Sequence, residues 1–248
     1  MQPSWKIAGL GAVIGAALAL ILIFAAAALG YLPVSGPRIH DYLMAHPELA
    51  AEMSERFQEQ QQDAQDHAQA DAMRRMGLKP FFNPRIAFIT GPADAKKTLV
   101  EFYDYDCPYC RASLPAVKKY YEAHKNDTRF AFIEFPLPDL HGPGATLAAR
   151  VSLAARQQPD KFLAFHFALM SEKDALDGPT IVADAHKAGI DLDRLQADMR
   201  DPQIDAAIAA SHRLAHDAAI DATPTFIING KMHPGALEGD ELEALAKG

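Results

Sequence analysis

The stretch Phe102-Tyr-Asp-Tyr-Asp-Cys107-Pro-Tyr-Cys110 constrains this chain more than any other. It holds the only two cysteines in 248 residues. They follow Thr98-Leu-Val-Glu-Phe-Tyr103, a run of β-branched and aromatic residues that reads as a strand. Beyond them Leu114, Val117 and Tyr121 fall at helical spacing, and Pro115 is expected to kink that helix. Arg129-Phe-Ala-Phe-Ile-Glu-Phe135 reads as another strand, and Arg85–Thr90 as an earlier one. The Cys-x-x-Cys therefore occupies the strand-to-helix turn of a βαβ unit. That setting favours a redox pair.

The chemistry wants this placement. A sulfur at a helix N-terminus meets free N–H groups and the positive end of the dipole, which favour thiolate. Thiolate is the form that attacks a disulfide and the form that leaves. Cys107 is the expected nucleophile. Cys110, one turn on, is the expected resolving thiol. Pro108 and Tyr109 set the turn between them. A structural bridge over so short a loop would stabilise little. A zinc site would need a second ligand pair, and His212 with His216 reads as a solvated helix face. A copper(I)-carrying pair is a reading that spacing alone leaves open.

Residues 7–32 carry no formal charge, and Lys6 precedes them. A helix of about 20 residues spans a bilayer, whereas a secretory signal has an apolar region of about 7–15. The expectation is a signal anchor within residues 1–37, with the rest of the chain in the bacterial periplasm. Ala25–Ala28 supports the alternative, a cleaved signal and a soluble periplasmic protein. Without Lys6 the chain has 23 basic and 32 acidic residues. That balance argues against nucleic-acid binding.

Residues 33–37 contain two prolines and a glycine and break the first helix. Residues 38–79 read as a helical stalk. Pro47 opens a run without Gly or Pro to about Met76. Ala50, Met53, Phe57 and Ala64 keep an a/d spacing that weakens at Gln60 and His67. The stalk is expected to be either a solvated spacer or a homo-oligomerisation helix over residues 47–76. Lys79-Pro80 and Asn83-Pro84 mark a linker.

Val-Glu-Phe-Tyr-Asp-Tyr-Asp-Cys-Pro-Tyr-Cys resembles the active-site segment of DsbA-family thiol–disulfide oxidoreductases. It is most similar to the stalked, membrane-anchored relatives of the suppressor-of-copper-sensitivity protein C group. The resemblance covers about residues 80–248, and the stalk resembles that group's N-terminal region. It implies an α/β thioredoxin-like fold with an inserted all-helical domain, here at about 140–219. This domain follows the stalk and the N-terminal transmembrane helix. Helical segments at 145–157, 160–170, 180–188, 192–199 and 203–219 fit the insert, after a loop over 136–144. Phe162, Phe165, Leu169 and Met170 read as insert core.

The resemblance also assigns roles. Pro224, before the strand Thr225–Ile228, is expected to be cis and to face the cysteines. Thr223 would offer its backbone to a substrate peptide and its hydroxyl to Cys107. Glu101 would be a buried acid serving Cys110. Strand alternation alone also allows a solvated face for it. Asp104 and Asp106 are expected to raise the pKa of Cys107 by like-charge repulsion. His141 and His166 read as surface or capping histidines. The implied activity is disulfide exchange with cysteines of secreted proteins, reset by a membrane redox partner. No organic cofactor or metal is required. The favoured direction is dithiol oxidation. The alternatives are an isomerase or reductase working as a stalk-mediated oligomer, and a copper-binding protein.

Overall fold

The computed structural model describes residues 18–26, 29 and 36–247. The expected anchor falls largely outside them. Residues 18–26 are helical, with Leu20, Ile21, Leu22 and Phe24 exposed. Among the described residues no helix is long and apolar enough to cross a membrane.

The chain divides into two compact units, Met1–Ala64 and Gln65–Gly248. The first contains α1 (Gly36–Ala45) and the N-terminal part of α2 (Pro47–Met76). Its apolar side chains Ile39, Tyr42, Met44, Met53 and Phe57 are exposed. The C-terminal turns of α2 belong to the second unit. There Gln69 and Ala72 are buried, and Met73 and Met76 pack on the core. Gln65 and Gln69 both donate to the carbonyl of Ala219, at 2.7 and 3.1 Å. These bonds satisfy the carbonyl of Ala219, a residue that itself stands at φ +56° after the end of a helix. This part of the helix is thus a wall of the domain. The expected linker is also packed: Lys79–Phe82 forms a 3-10 turn, and Phe81 is fully buried against Phe102.

The second unit is built on a five-stranded sheet. Its strands are β1 (Ala87–Thr90), β2 (Lys97–Tyr103), β3 (Thr128–Glu134), β4 (Thr225–Ile228) and β5 (Lys231–Pro234). The order is β1-β3-β2-β4-β5, and only the β2–β3 pair is parallel. A parallel pair needs a crossover. Here it is α3 (Pro108–His124), which opens on the cysteines and runs unbroken through Pro115. Between β3 and β4 lie α4 (Pro138–His141), α5 (Pro143–Ala155), α6 (Pro159–Met170), α7 (Gly178–Lys187), α8 (Leu192–Asp198) and α9 (Gln203–Asp217). The helix α10 (Glu241–Lys247) closes the chain. Between β3 and β4, α4 departs from the expected loop. It turns residues that read as loop into one helical turn, started by Pro138 and stopped by Gly142 at φ +94°.

Alternation along the strands makes two cores. Leu99, Tyr103, Phe130, Phe132, Phe226 and Ile228 face α3, α6 and their neighbours. Val100, Phe102, Ala131, Ile133 and Ile227 face Phe81, Leu214 and Ala215. Glu101 shares the pleat of Leu99 and Tyr103, so it points under the start of α3 and not into solvent.

Candidate active site

Cys107 is the N-cap of α3, in extended conformation (φ −75°, ψ 118°). Its N–H bonds back to the Asp104 carbonyl at 3.2 Å, which closes the turn between strand and helix. Pro108 occupies the first helical turn, where no N–H is needed. Tyr109 is 64 % exposed, while Cys107 and Cys110 are buried, free thiols. Thr223 faces them across the site. The Thr223–Pro224 peptide is cis, and the Thr223 carbonyl accepts from the Cys107 thiol at 3.2 Å. The structure therefore brings together all seven expected residues: Glu101, Cys107, Pro108, Tyr109, Cys110, Thr223 and Pro224.

The environment separates the two sulfurs. Cys107 is lowered to about 5, first by a hydrogen bond from the Cys110 thiol. The N–H groups of Cys110 and Tyr109 add to this, against the cost of burial; the Thr223 hydroxyl, expected to serve Cys107, is buried without a hydrogen-bond partner among the described residues. Burial pushes Cys110 well above the usual thiol range, and its bond to Cys107 pushes the same way. Glu101 is 3 % exposed, and its Oε2 has no hydrogen-bond partner. Burial, then the charge of Cys107, raises it to about 8. The site thus holds a ready thiolate, a reluctant thiol, and a carboxyl able to exchange a proton near neutral pH.

Asp104 and Asp106 do not act as expected. Their carboxylates are held by other partners, and the Cys107 sulfur is lowered, not raised. Asp104 accepts from the N–H groups of Asp106 and Leu137 and from His141 Nδ1, at 2.9, 2.8 and 2.7 Å. Asp106 accepts from Arg111 at 2.8 Å and the Leu176 N–H at 2.9 Å. Gly144 leaves room for that carboxylate, since a Cβ there would lie 2.4 Å from its Oδ2.

A second buried group escaped the sequence reading. The Tyr103 hydroxyl donates to Glu134 at 2.7 Å. Tyr105, two residues before Cys107, is bonded through its hydroxyl to Ser152 at 2.8 Å and His166 at 2.9 Å. Ser152 donates to Glu134 at 2.7 Å, and Arg156 pairs with Glu134. His166 is therefore neither a surface nor a capping residue. It is 1 % exposed, and burial lowers it to about 3, with Arg156 pushing the same way. This group fastens the turn before Cys107 to α5 and α6. One signal was present in the sequence: Glu134 alternates with Phe130 and Phe132, and an acid on that face needs a partner. Which residue supplies it is set only by the packing of α5.

Among the described residues no group of three or more His, Cys, Asp or Glu side chains is placed to hold a metal ion. Cys107 and Cys110 are the only thiol donors.

A strand-to-helix dithiol facing a cis-proline loop, over a buried carboxyl, defines the class of thiol–disulfide oxidoreductases on the thioredoxin fold. Comparison with known proteins bears this out. The family model described as "Thioredoxin" matches residues 86–247, and the chain belongs to that family. The model described as "Copper resistance protein ScsC N-terminal domain" matches residues 36–64. The chain is similar to a thioredoxin-like oxidoreductase from Silicibacter pomeroyi. Identity is 34 %, coverage 69 % of this chain and 95 % of that one, and the TM-score 0.61. It is also similar to the catalytic domain of Proteus mirabilis ScsC. There identity is 27 %, coverage 72 % and 96 %, and the TM-score 0.61. Curated relatives are longer. The Na(+)/H(+) antiporter NhaA 3 of Salinispora tropica is 32 % identical over 156 residues, which are 63 % of this chain and 24 % of that protein.

Proposed function

We propose that the chain is a periplasm-facing dithiol oxidase acting on cysteines of secreted proteins through Cys107-Pro-Tyr-Cys110. The observation that carries this reading is the place of Cys107 at the N-cap of α3 beside the cis Thr223–Pro224 loop, where the helix N–H groups and Cys110 lower its thiol to about 5. A stabilised thiolate favours the reduced pair, so the Cys107–Cys110 disulfide is oxidising. In the forward reaction a substrate thiolate attacks the Cys107 sulfur of that disulfide. A mixed disulfide forms, and Cys110 leaves as a thiolate that takes a proton from Glu101. A second substrate thiolate then attacks the substrate's own sulfur. Cys107 departs as a stable thiolate and the substrate disulfide is complete. The protein gains two electrons, which a membrane redox partner must remove. Thr223, with its backbone beside Cys107, and Pro224 frame the groove for an extended substrate segment. Pro108 and Tyr109 shape the turn, and Tyr109 presents an exposed ring to the substrate. The uncharged run over 7–32, preceded by Lys6, supports a single-pass anchor in the inner membrane.

One observation favours isomerisation as the second reading. Met53 and Phe57 are exposed on α2 and available to other copies of the chain. A stalk self-associated through the part of residues 47–76 that precedes Gln65 would present several dithiols to one substrate.

The test is the equilibrium potential of the Cys107–Cys110 couple in glutathione buffers, with oxidation of a reduced substrate and a Cys107→Ala control. A value toward about −120 mV supports the oxidase, and one near about −270 mV overturns it in favour of a reductant. Equal behaviour of wild type and control ends the disulfide-exchange reading altogether. Solution mass before and after removal of residues 36–64 decides the role of the stalk.

A further inference from the structure

The reaction scheme leaves the contact between Asp104 and His141, beside the site, without a task. The Asp104 side chain has no exposed surface. Its carboxylate accepts the N–H of Asp106, the N–H of Leu137 and Nδ1 of His141, the last at 2.7 Å. Its backbone carbonyl accepts the N–H of Cys107. One residue thus joins three pieces of chain: the end of β2, the turn that presents Cys107, and the segment after β3. An ionised carboxylate only accepts, so Nδ1 of His141 carries the proton of this bond. The His141 side chain is itself tucked in, at 14 % exposure.

Two physical consequences follow. A buried charge is costly unless its hydrogen bonds are complete. Without His141, two backbone N–H groups would have to hold the Asp104 carboxylate alone. A carboxylate three residues before a thiolate also opposes it, and each donor that faces the carboxylate weakens that opposition. We propose that His141 is a positioning residue of the disulfide-exchange site. Its Nδ1 donates to the Asp104 carboxylate, pins Leu137–His141 to the turn that presents Cys107, and draws the carboxylate's charge away from the sulfur. The inference rests on the reading of Cys107 as the reacting sulfur. It adds a residue that touches neither sulfur nor substrate.

The experiment follows the thiolate absorbance of the reduced full-length protein near 240 nm against pH, together with its equilibrium with glutathione. Neither readout needs a protein substrate. His141→Ala is expected to raise the midpoint of Cys107 by about 0.5–1 pH unit and to make the disulfide less oxidising. His141→Asn, whose amide N–H replaces the one at Nδ1, stays near wild type. Asp104→Asn added to His141→Ala brings the midpoint back down. A merely structural contact would instead move both single variants the same way and leave the double variant worse. An unchanged midpoint in His141→Ala overturns the proposal, as does a double variant no better than that single one. Should His141→Ala not fold, the other variants carry the test: His141→Asn must match wild type and Asp104→Asn must not raise the midpoint. Failure of wild type to exchange disulfides would instead sink the functional reading, whatever these midpoints show.

Discussion

Glu101→Gln separates a buried proton carrier from a bystander. Glu101 is 3 % exposed, with an unpartnered Oε2, and is raised from 4.5 to about 8. The native state therefore holds this proton more tightly than the unfolded chain does. Below pH 4.5 both states are protonated, and the group costs nothing. As pH rises toward 8 the unfolded chain releases the proton and the native state keeps it, so wild type loses stability. Each pH unit in that window is worth about 1.4 kcal/mol. The loss reaches about 3 kcal/mol at pH 7 and levels off near about 5 kcal/mol above pH 8. Glutamine does not titrate. The stability advantage of Glu101→Gln over wild type should therefore grow by these amounts. Urea unfolding of the reduced proteins from pH 4.5 to pH 9 measures it. In the same variant, proton transfer to and from Cys110 should slow by about 10²-fold in single-turnover exchange. A constant stability difference across the whole pH range would refute the anomalous proton, and with it the assigned role of Glu101.

Two further outcomes are expected. Alkylation of the reduced protein should label Cys107 with a midpoint near pH 5, fully reactive at neutral pH, while Cys110 stays unlabelled well past the ordinary thiol range; a midpoint near about 8.5, that of a free cysteine, contradicts the thiolate assignment. Arg156→Met leaves the Glu134 carboxylate buried without its ion-pair partner. It should cost about 3–5 kcal/mol in denaturant unfolding, and Glu134→Gln in the same background should restore part of it. Two variants of equal stability would show that the pair does not carry the join between sheet and insert.

Much of this protein was legible in its sequence, because its signals are local. Strand and helix periodicities are properties of a few neighbouring residues. So are the breaks at Pro159, Gly178-Pro179 and Pro202. The Cys-x-x-Cys stands at the strand-to-helix turn because Pro108 can begin a helix and Tyr103 ends a strand. Resemblance to a known family then carried Pro224 and Glu101, which no local pattern would have singled out.

Tertiary packing decided what depended on partners distant in the chain. Asp104 and Asp106 stand beside Cys107 in sequence, and repulsion was the natural expectation. In space their charges go to His141, Arg111 and three backbone N–H groups, and the pairings with His141, Arg111, Leu137 and Leu176 have no sequence signature. His166 could not be told from a surface histidine until α6 laid it against Tyr105. The end of α2 looked like solvated stalk until Gln65 and Gln69 met Ala219, some 150 residues on. The residues by themselves determined which sulfur sits at a helix start. The fold alone decided which charges that sulfur feels, because a side chain's field depends on the groups it pairs with and not on its place in the chain.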